Sequence, residues 1–178
     1  MAIVKLNAPT KRADTVTREG VTDLATLRAY LARQGVGLAP CDVRNIAALL
    51  GVAVVYEPMD DEMSGFLEKR GQQWVAGVNS YHHPVRQRFT LAHELAHFIL
   101  HRGDKARFDD HTYARRHDDR SPMEREADNF AARLLMPEPE LRQAVDKGVR
   151  NLNDLARQFE VSSLAMRYRL EALGYRLT

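Results

Sequence analysis

The chain has 178 residues, a formal net charge of +2 and 28% charged residues. This length fits one domain of ordinary size, and a charge so close to neutral points to neither nucleic acid nor an acidic membrane as a required partner. The single cysteine, Cys41, excludes an internal disulfide framework and fits a reducing compartment. No apolar run approaches the ~20 residues of a membrane span, and the first residues lack the pattern of a secretory signal. The sequence therefore predicts a cytoplasmic protein.

Two helices are predicted after a polar beginning. Residues 1–20 show no sustained period, so we expect a flexible arm. Leucines at helical spacing predict a helix over 22–33. Asp42 and Gly51 are typical of the N-cap and the C-terminal glycine of a second helix, which the apolar face between them supports.

A strand and a hairpin are predicted next. Residues 52–56 are β-branched and short, and two further apolar runs, 65–67 and 74–78, flank a turn-like Arg-Gly-Gln at 70–72. The second hairpin strand leads into a long helical run, and Pro84 suits the first turn of that helix.

The stretch 88–101, RFTLAHELAHFILH, carries the clearest functional pattern, His93-Glu94-x-x-His97. Two histidines four residues apart leave the same face of a helix, one turn apart, within reach of one metal ion. Zinc takes neutral nitrogen ligands and keeps one position open for water, and a carboxylate beside it can accept a proton from that water. The surrounding apolar residues predict a buried helix, in which such polar groups would be costly without partners. The pattern therefore indicates a metal site with Glu94 as general base.

A helix predicted from Ser121 to Met136 offers a third ligand. Glu124 and Asp128, four residues apart, share a face, so Glu124 can complete the metal site while Asp128 orients a ligating histidine. Ser121-x-x-Glu124 also matches the capping box, in which this glutamate would instead satisfy a backbone N–H at the helix start. If Glu124 only caps its helix, Asp128 is the best remaining candidate.

Other candidates for the third ligand fit less well. Gly103 occupies the position where a metzincin-type site would need a histidine, which excludes that class. His101 lies one turn beyond His97, and three histidines in a row along one helix would not easily converge on a tetrahedral ion. Glu126 points away from Glu124 and is expected to face solvent.

The segment between the two motif helices, residues 102–120, is charged and aperiodic, with six Arg or Lys and five Asp. Its length predicts either a mobile flap over the cleft or a disordered stretch. Three of its residues are candidate donors to the oxyanion of a tetrahedral intermediate, and the sequence does not choose among His111, Tyr113 and His117. The hairpin edge beside the metal site is expected to pair with an extended peptide, the alternative being an ordinary half-buried hairpin.

The C-terminal residues 151–159 and 164–173 predict a helix-turn-helix-like pair. Residues 142–178 carry seven Arg or Lys against four Asp or Glu, a net charge of +3, with Arg167 and Arg169 on the second helix. This excess is modest for DNA binding. We therefore expect the pair to pack on the rest of the chain or to dock a substrate, with DNA contact as the weaker alternative.

These motifs resemble the ImmA/IrrE family of zinc metallopeptidases. The matching text is Arg88-Phe-Thr-Leu-Ala-His-Glu-Leu-Ala-His97 and Glu124-x-x-Ala-Asp128-x-Phe-Ala-Ala-x-Leu-Leu-Met-Pro137, and the similarity runs from about Cys41 to Gly174. The resemblance implies His93, His97 and Glu124 as zinc ligands and Glu94 as catalytic base, in a domain related to the gluzincins. It also implies a regulatory role, because members often act on helix-turn-helix repressors.

The expected fold is α+β: a mostly helical, zincin-like peptidase domain over 21–140, with a small antiparallel sheet made of a strand and a hairpin. Residues 1–20 would be the arm and 141–178 the C-terminal helical segment packed on the domain. The expected function is an intracellular zinc-dependent endopeptidase that cleaves a helix-turn-helix-type repressor or similar regulator, in a stress response, a mobile element or a toxin–antitoxin pair. One alternative is a zinc-containing module that binds and sequesters its partner without cleavage. A DNA-binding regulator is the third.

Overall fold

The computed structural model describes residues 17–111 and 121–176. In these ranges a long central helix, α3, lies between a four-stranded sheet and a second helix, α4. The helices are α1 (Leu24–Arg33), α2 (Val43–Leu50), α3 (Pro84–His101), α4 (Pro122–Leu135), α5 (Glu138–Asp146), α6 (Leu152–Gln158) and α7 (Ser163–Ala172). The strands are β1 (Val52–Glu57), β2 (Met63–Arg70), β3 (Gln73–Asn79) and β4 (Arg107–His111). The α+β class predicted from the sequence is confirmed.

The first two helices begin and end at the residues that their cap chemistry favours. The Asp42 side chain accepts the backbone N–H of Asn45 at 3.0 Å, and Gly51 closes α2 in the left-handed region at φ 73°. Both predicted caps of α2 are confirmed. Helix α1 starts two residues later than predicted, because Asp23 forms a reciprocal capping box with Thr26.

The prediction of a flexible arm up to residue 20 is wrong for its last residues, and residues 1–16 lie outside the described part of the chain. Arg18–Gly20 form a single 3-10 turn, and Val21 directly after it is fully buried. The Arg18 guanidinium lies where a side chain at Gly51 would be, since a Cβ there would come within 2.5 Å of its Nη1. The missing side chain of Gly51 therefore makes room for this arginine.

The sheet has four strands in the order β1-β3-β2-β4 and is mixed, so the prediction of a purely antiparallel sheet made of a strand and a hairpin is wrong. The predicted hairpin is confirmed as β2 and β3, paired antiparallel, and β1 runs parallel to β3. Strand β4 pairs antiparallel with β2. Both hairpin strands are therefore internal, and the prediction that the hairpin offers a free edge for a peptide is wrong. The sheet edge on that side belongs to β4.

Strand β4 also corrects the prediction that 102–120 lacks structure, at least for residues 107–111; residues 112–120 lie outside the described ranges. Its inward side chains are Phe108 and Asp110, whereas Arg107 and Asp109 point outward and form an ion pair of 2.7 Å. Only two inward positions exist, and one of them is charged. A five-residue strand of this composition gives no apolar alternation from which it could be predicted.

Close contact between the sheet and α3 depends on Gly65. A Cβ at this position would lie 2.5 Å from the carbonyl oxygen of Gly77 and 2.6 Å from Cγ2 of Thr90 on α3. No side chain fits at such distances, so glycine allows β2 to lie directly against α3. This contact places the sheet next to the metal-binding motif.

The predicted C-terminal pair is confirmed as α6 and α7, and its buried side chains belong to the same apolar core as α3 and α4. Leu164, near the start of α7, is 56% exposed and does not belong to this core. Arg169, a candidate for DNA contact, donates from Nε to the backbone oxygen of Met136 at 3.0 Å, so its guanidinium serves packing. Helix α5 was not predicted. Of the helices in the described ranges, none is both long and apolar enough to cross a bilayer.

Candidate metal centre

His93 and His97 lie one turn apart on α3, and both are almost fully buried. Their Nε2 atoms are 3.1 Å apart, with the rings nearly perpendicular at 75°. Helix α4 brings its first turn against them, so that Glu124 places Oε2 3.1 Å from Nε2 of His93 and Oε1 3.3 Å from Nε2 of His97. One ligand atom from each of the three residues lies within 4.8 Å of the other two. The structure thus brings together the three residues predicted as ligands.

The hydrogen-bond partners of His93 show that this cluster fits a cation. Nδ1 of His93 lies 3.0 Å from Oδ1 of Asp128, which can only accept. In the neutral ring, Nδ1 then carries the proton and Nε2 presents a lone pair toward Nε2 of His97 and the carboxylate of Glu124. Two imidazole nitrogens and a carboxylate directed at one point are a donor set that zinc accepts, with a fourth position left for water. Asp128 thus contacts the ring edge of His93 that faces away from Glu124, and its role in orienting a ligand stays a prediction.

The position of Glu124 bears on the ambiguity between capping and metal binding. Its backbone N–H donates to Oγ of Ser121 at 3.2 Å, which is one half of a capping box. Its carboxylate, however, contacts the two histidines, and the side chain that caps the start of α4 is that of Ser121. The geometry therefore favours the ligand interpretation of Glu124, and its role as a ligand stays a prediction.

The charges of the cluster are mutually dependent. Burial alone would raise the pKa of the Glu124 carboxyl, but its contacts with the His93 and His97 rings outweigh this and hold that pKa well below its usual range. Burial would lower the pKa of His93, yet contact with Glu124 raises it, while burial dominates at His97 and lowers its pKa. Glu124 is thus ionised and ready to balance a cation.

Glu94, the predicted general base, is completely buried beside this cluster. Neither carboxylate oxygen has a hydrogen-bond partner among the described residues, and a Cβ on Gly65 would lie 3.2 Å from Oε1. Burial raises the pKa of Glu94 well above its usual value; the charges of Asp110 and Glu124 add to this, and His93 opposes it. Both oxygens of Glu94 are thus available to a water next to the three residues predicted as ligands, which is where a general base is needed.

The structure places the remaining candidates differently. His111 is exposed at the end of β4, and Tyr113 and His117 lie outside the described residues, so none is placed as an oxyanion donor. Glu126 is exposed as predicted, but it also contacts His101 at 3.1 Å. His101 is buried and contacts His97 from behind, which agrees with its rejection as a direct ligand.

Sequence reasoning missed one residue that touches the cluster. Phe108 of β4 stacks on the His97 ring at 4.6 Å between centroids and an angle of 17°. The sequence shows an aromatic residue at this position, but it does not predict the strand that brings Phe108 to His97. The cluster thus combines a His-Glu-x-x-His pair on one helix with a glutamate on a following helix, an arrangement that could hold a metal ion.

A model of the IrrE N-terminal-like domain matches residues 47–171, about 70% of the chain. The protein therefore belongs to the IrrE N-terminal-like domain family. The match begins within α2 and includes the sheet, both motif helices and most of the C-terminal pair, whereas α1 lies outside it.

Two relatives and one solved structure are similar to this chain. The radiation response metalloprotease IrrE of Deinococcus radiodurans is 36% identical over 96 residues, which are 52% of this chain and 29% of the relative. The protein of the same name from Deinococcus deserti is 31% identical over 150 residues, 82% of this chain and 52% of the relative. A Mycobacterium tuberculosis transcriptional regulator shares the fold with a TM-score of 0.55 and 19% identity, over 83% of this chain and 45% of that one. The chain spans about half or less of each of these proteins.

Proposed function

We propose that this chain is a zinc-dependent endopeptidase domain that acts on a protein regulating transcription. The observation that carries the proposal is the convergence of His93, His97 and Glu124 within 4.8 Å, with the buried carboxylate of Glu94 on the same helix. The three residues would hold zinc. Bound there, zinc would lower the pKa of water to about 7 and polarise the carbonyl of the scissile bond.

The chain's own residues account for the proton transfers. Glu94 accepts a proton from the attacking water, because its carboxylate oxygens lie beside the three would-be ligands and have no other hydrogen-bond partner among the described residues. It then delivers that proton to the leaving amine. Asp128 holds the His93 ring by accepting a hydrogen bond from its Nδ1–H, so His93 keeps its orientation during the proton transfers.

Strand β4 is the element best placed to bind the substrate backbone. It lies at the end of the strand order, and within the described ranges no strand pairs with its outer side. Its Phe108 contacts His97, and its Asp110 is buried and acts electrostatically on both His93 and Glu94. An extended peptide added to this edge would run past the metal position while its backbone pairs with β4.

A regulatory protein is the substrate class that the comparisons support. The relatives are named as metalloproteases of a radiation response, and the structural neighbour is named as a transcriptional regulator. We propose a helix-turn-helix-type repressor, whose removal would relieve transcription in a stress response or a related regulatory circuit. The protein would act within the cytoplasm, where such repressors are found.

Cleavage can be tested with purified helix-turn-helix repressors of the source organism as candidate substrates, incubated with zinc-loaded wild type and with Glu94→Gln. We expect discrete fragments from the wild type and a loss of about 10²–10⁴-fold in rate with the variant, which retains its zinc. Glu171→Gln on α7, an exposed glutamate, is the matched control and should cleave like the wild type. Equal cleavage by wild type and Glu94→Gln would contradict the mechanism. Equal relief of repression by both in cells, without fragments, would favour sequestration of the partner.

A further inference from the structure

His101, at the last turn of α3, links the metal cluster to the surface of α4. The residue is 6% exposed, and its Nδ1 lies 3.1 Å from Nδ1 of His97. On its other side, Nε2 lies 3.1 Å from Oε2 of Glu126. The three residues form a continuous line, His97 to His101 to Glu126, that ends at the solvent because the Glu126 side chain is 62% exposed.

When both rings are neutral, the chemistry of these groups gives the line a single direction. A carboxylate can only accept, so Nε2 of His101 must carry a proton and donate it to Glu126. In the neutral ring, Nδ1 of His101 is then an acceptor. It accepts a hydrogen bond from Nδ1–H of His97. Nε2 of His97 then carries the lone pair, which faces Glu124 and His93. The hydrogen bond to Glu126 thus sets the tautomer of His101, and the hydrogen bond to His101 sets the tautomer of His97.

We infer that His101 and Glu126 are positioning residues that fix the tautomer and the ring orientation of His97 as a metal ligand. The inference rests on the proposed zinc site and adds two residues to it. Phe108 fixes the ring plane of His97 by stacking. His101 fixes which edge of that ring faces Glu124, because its hydrogen bond holds Nδ1 on the opposite side. Neither role can be replaced by the other.

Helix α4 then supports both histidines from behind, by routes of unequal strength. His93 donates directly to the carboxylate of Asp128 at 3.0 Å, whereas His97 donates to a neutral imidazole that in turn donates to a carboxylate. Hydrogen bonds to charged acceptors are about twice as strong as neutral ones. The support of His93 should therefore be the stronger of the two. Within the line, His101 should contribute more to zinc affinity than the exposed Glu126, because the hydrogen bond of Glu126 competes with water.

The first test measures zinc affinity by chelator competition for wild type, His101→Phe and His101→Asn. Phenylalanine fills the buried space but cannot accept the proton of His97, and we expect zinc affinity to fall about 10–100-fold. Asparagine can place its carbonyl oxygen close to the position of Nδ1 and should stay within a few-fold of wild type. Wild-type affinity in His101→Phe, or weaker binding by His101→Asn than by His101→Phe, would overturn the inference, since packing alone would then explain the residue.

The second test removes the far end of the line. Glu126→Ala should weaken zinc binding several-fold, and Glu126→Gln, which keeps an acceptor oxygen, should retain most of the affinity. Equal losses in both variants would show that only the charge of Glu126 matters and would overturn its part. Because Glu126 is largely exposed, these variants keep the test decisive even if His101→Phe fails to fold, which thermal unfolding of the zinc-free proteins would reveal.

The third measurement reads the tautomer in the zinc-loaded wild type from the nitrogen chemical shifts of the histidine rings. His101 is expected to carry its proton on Nε2 alone and His97 on Nδ1 alone; a proton on Nδ1 of His101 would overturn the inference. These readouts do not depend on peptidase activity. A wild-type chain that binds no zinc would overturn both this inference and the proposed function, whereas zinc binding indifferent to His101 would overturn the inference alone.

Discussion

The buried polar side chains on the two sides of α3 differ in whether they have hydrogen-bond partners. Toward α4, the ring nitrogens of His93 and His97 are hydrogen-bonded, the first to Asp128 at 3.0 Å and the second to His101 at 3.1 Å. Toward the sheet, Oγ1 of Thr90 and both carboxylate oxygens of Glu94 are buried without partners among the described residues. A helix of one composition thus carries a fully paired face and an unpaired one.

The difference follows from what faces the helix. Helix α4 offers carboxylates, which can accept from imidazoles, whereas β2 offers Gly65 and a backbone already paired with β3 and β4. A buried polar group without a partner costs roughly 1–3 kcal/mol. This cost falls on the proposed general base, so the residue that must exchange a proton is the one that the fold leaves unsatisfied, while the proposed ligands are held rigidly.

Removing Asp128 should weaken the paired face most. In Asp128→Ala the proton on Nδ1 of His93 loses its acceptor, and we expect zinc affinity to fall about 10–100-fold. Asn129→Ala, an exposed neighbour on the same helix, is the control for a general effect on α4. Chelator competition measures both. Unchanged zinc affinity in Asp128→Ala would contradict the claim that hydrogen bonds on the α4 side of α3 hold the proposed ligands in place.

Adding a side chain at Gly65 should disturb the unpaired face. The new methyl group would meet the backbone oxygen of Gly77 at 2.5 Å, so the sheet must move away from α3, and we expect Gly65→Ala to lower the free energy of unfolding by about 2 kcal/mol. Gly103→Ala is the control, because a Cβ there meets nothing within 4 Å. Denaturant unfolding compares the two. Equal stability of the two variants would contradict the close packing of β2 on α3.

Replacing Glu94 should stabilise the zinc-free protein and do so in a pH-dependent way. The pKa of Glu94 is raised in the folded state, so above its usual value of 4.5 the unfolded chain releases a proton that the folded chain retains. Stability of the wild type then falls as the pH rises above that value. We expect Glu94→Gln to be more stable by about 1 kcal/mol at neutral pH, with a smaller gain near pH 5. Denaturant unfolding at both pH values measures this, and a variant less stable than wild type at neutral pH would contradict it.

The sequence predicted the parts of this fold whose signals are local. The caps of α2 at Asp42 and Gly51 and the spacing of His93 and His97 each depend on residues within a turn or two of one helix. The choice of Glu124 needed one further step, namely that a two-histidine site lacks a ligand. Such patterns can be read because the physics that produces them acts over a few residues.

The features that were missed depend on contacts between distant segments. Strand β4 has too few inward residues to show a period, and its pairing with β2 is what makes it a strand. The contact between His101 and Glu126 joins residues 25 positions apart and exists only because α4 lies against the end of α3. The free edge of the sheet was likewise assigned to the hairpin, since the order of strands is a property of the whole sheet.

The central claim is that Glu124 is a metal ligand and not merely a helix cap. Zinc content per chain, measured after dialysis against a weak chelator, tests it directly in wild type, Glu124→Ala and Ser121→Ala. The wild type and Ser121→Ala, which loses only the cap, are expected to retain one zinc ion per chain, and Glu124→Ala is expected to lose it. Retention of zinc by Glu124→Ala with the affinity of the wild type would contradict the account.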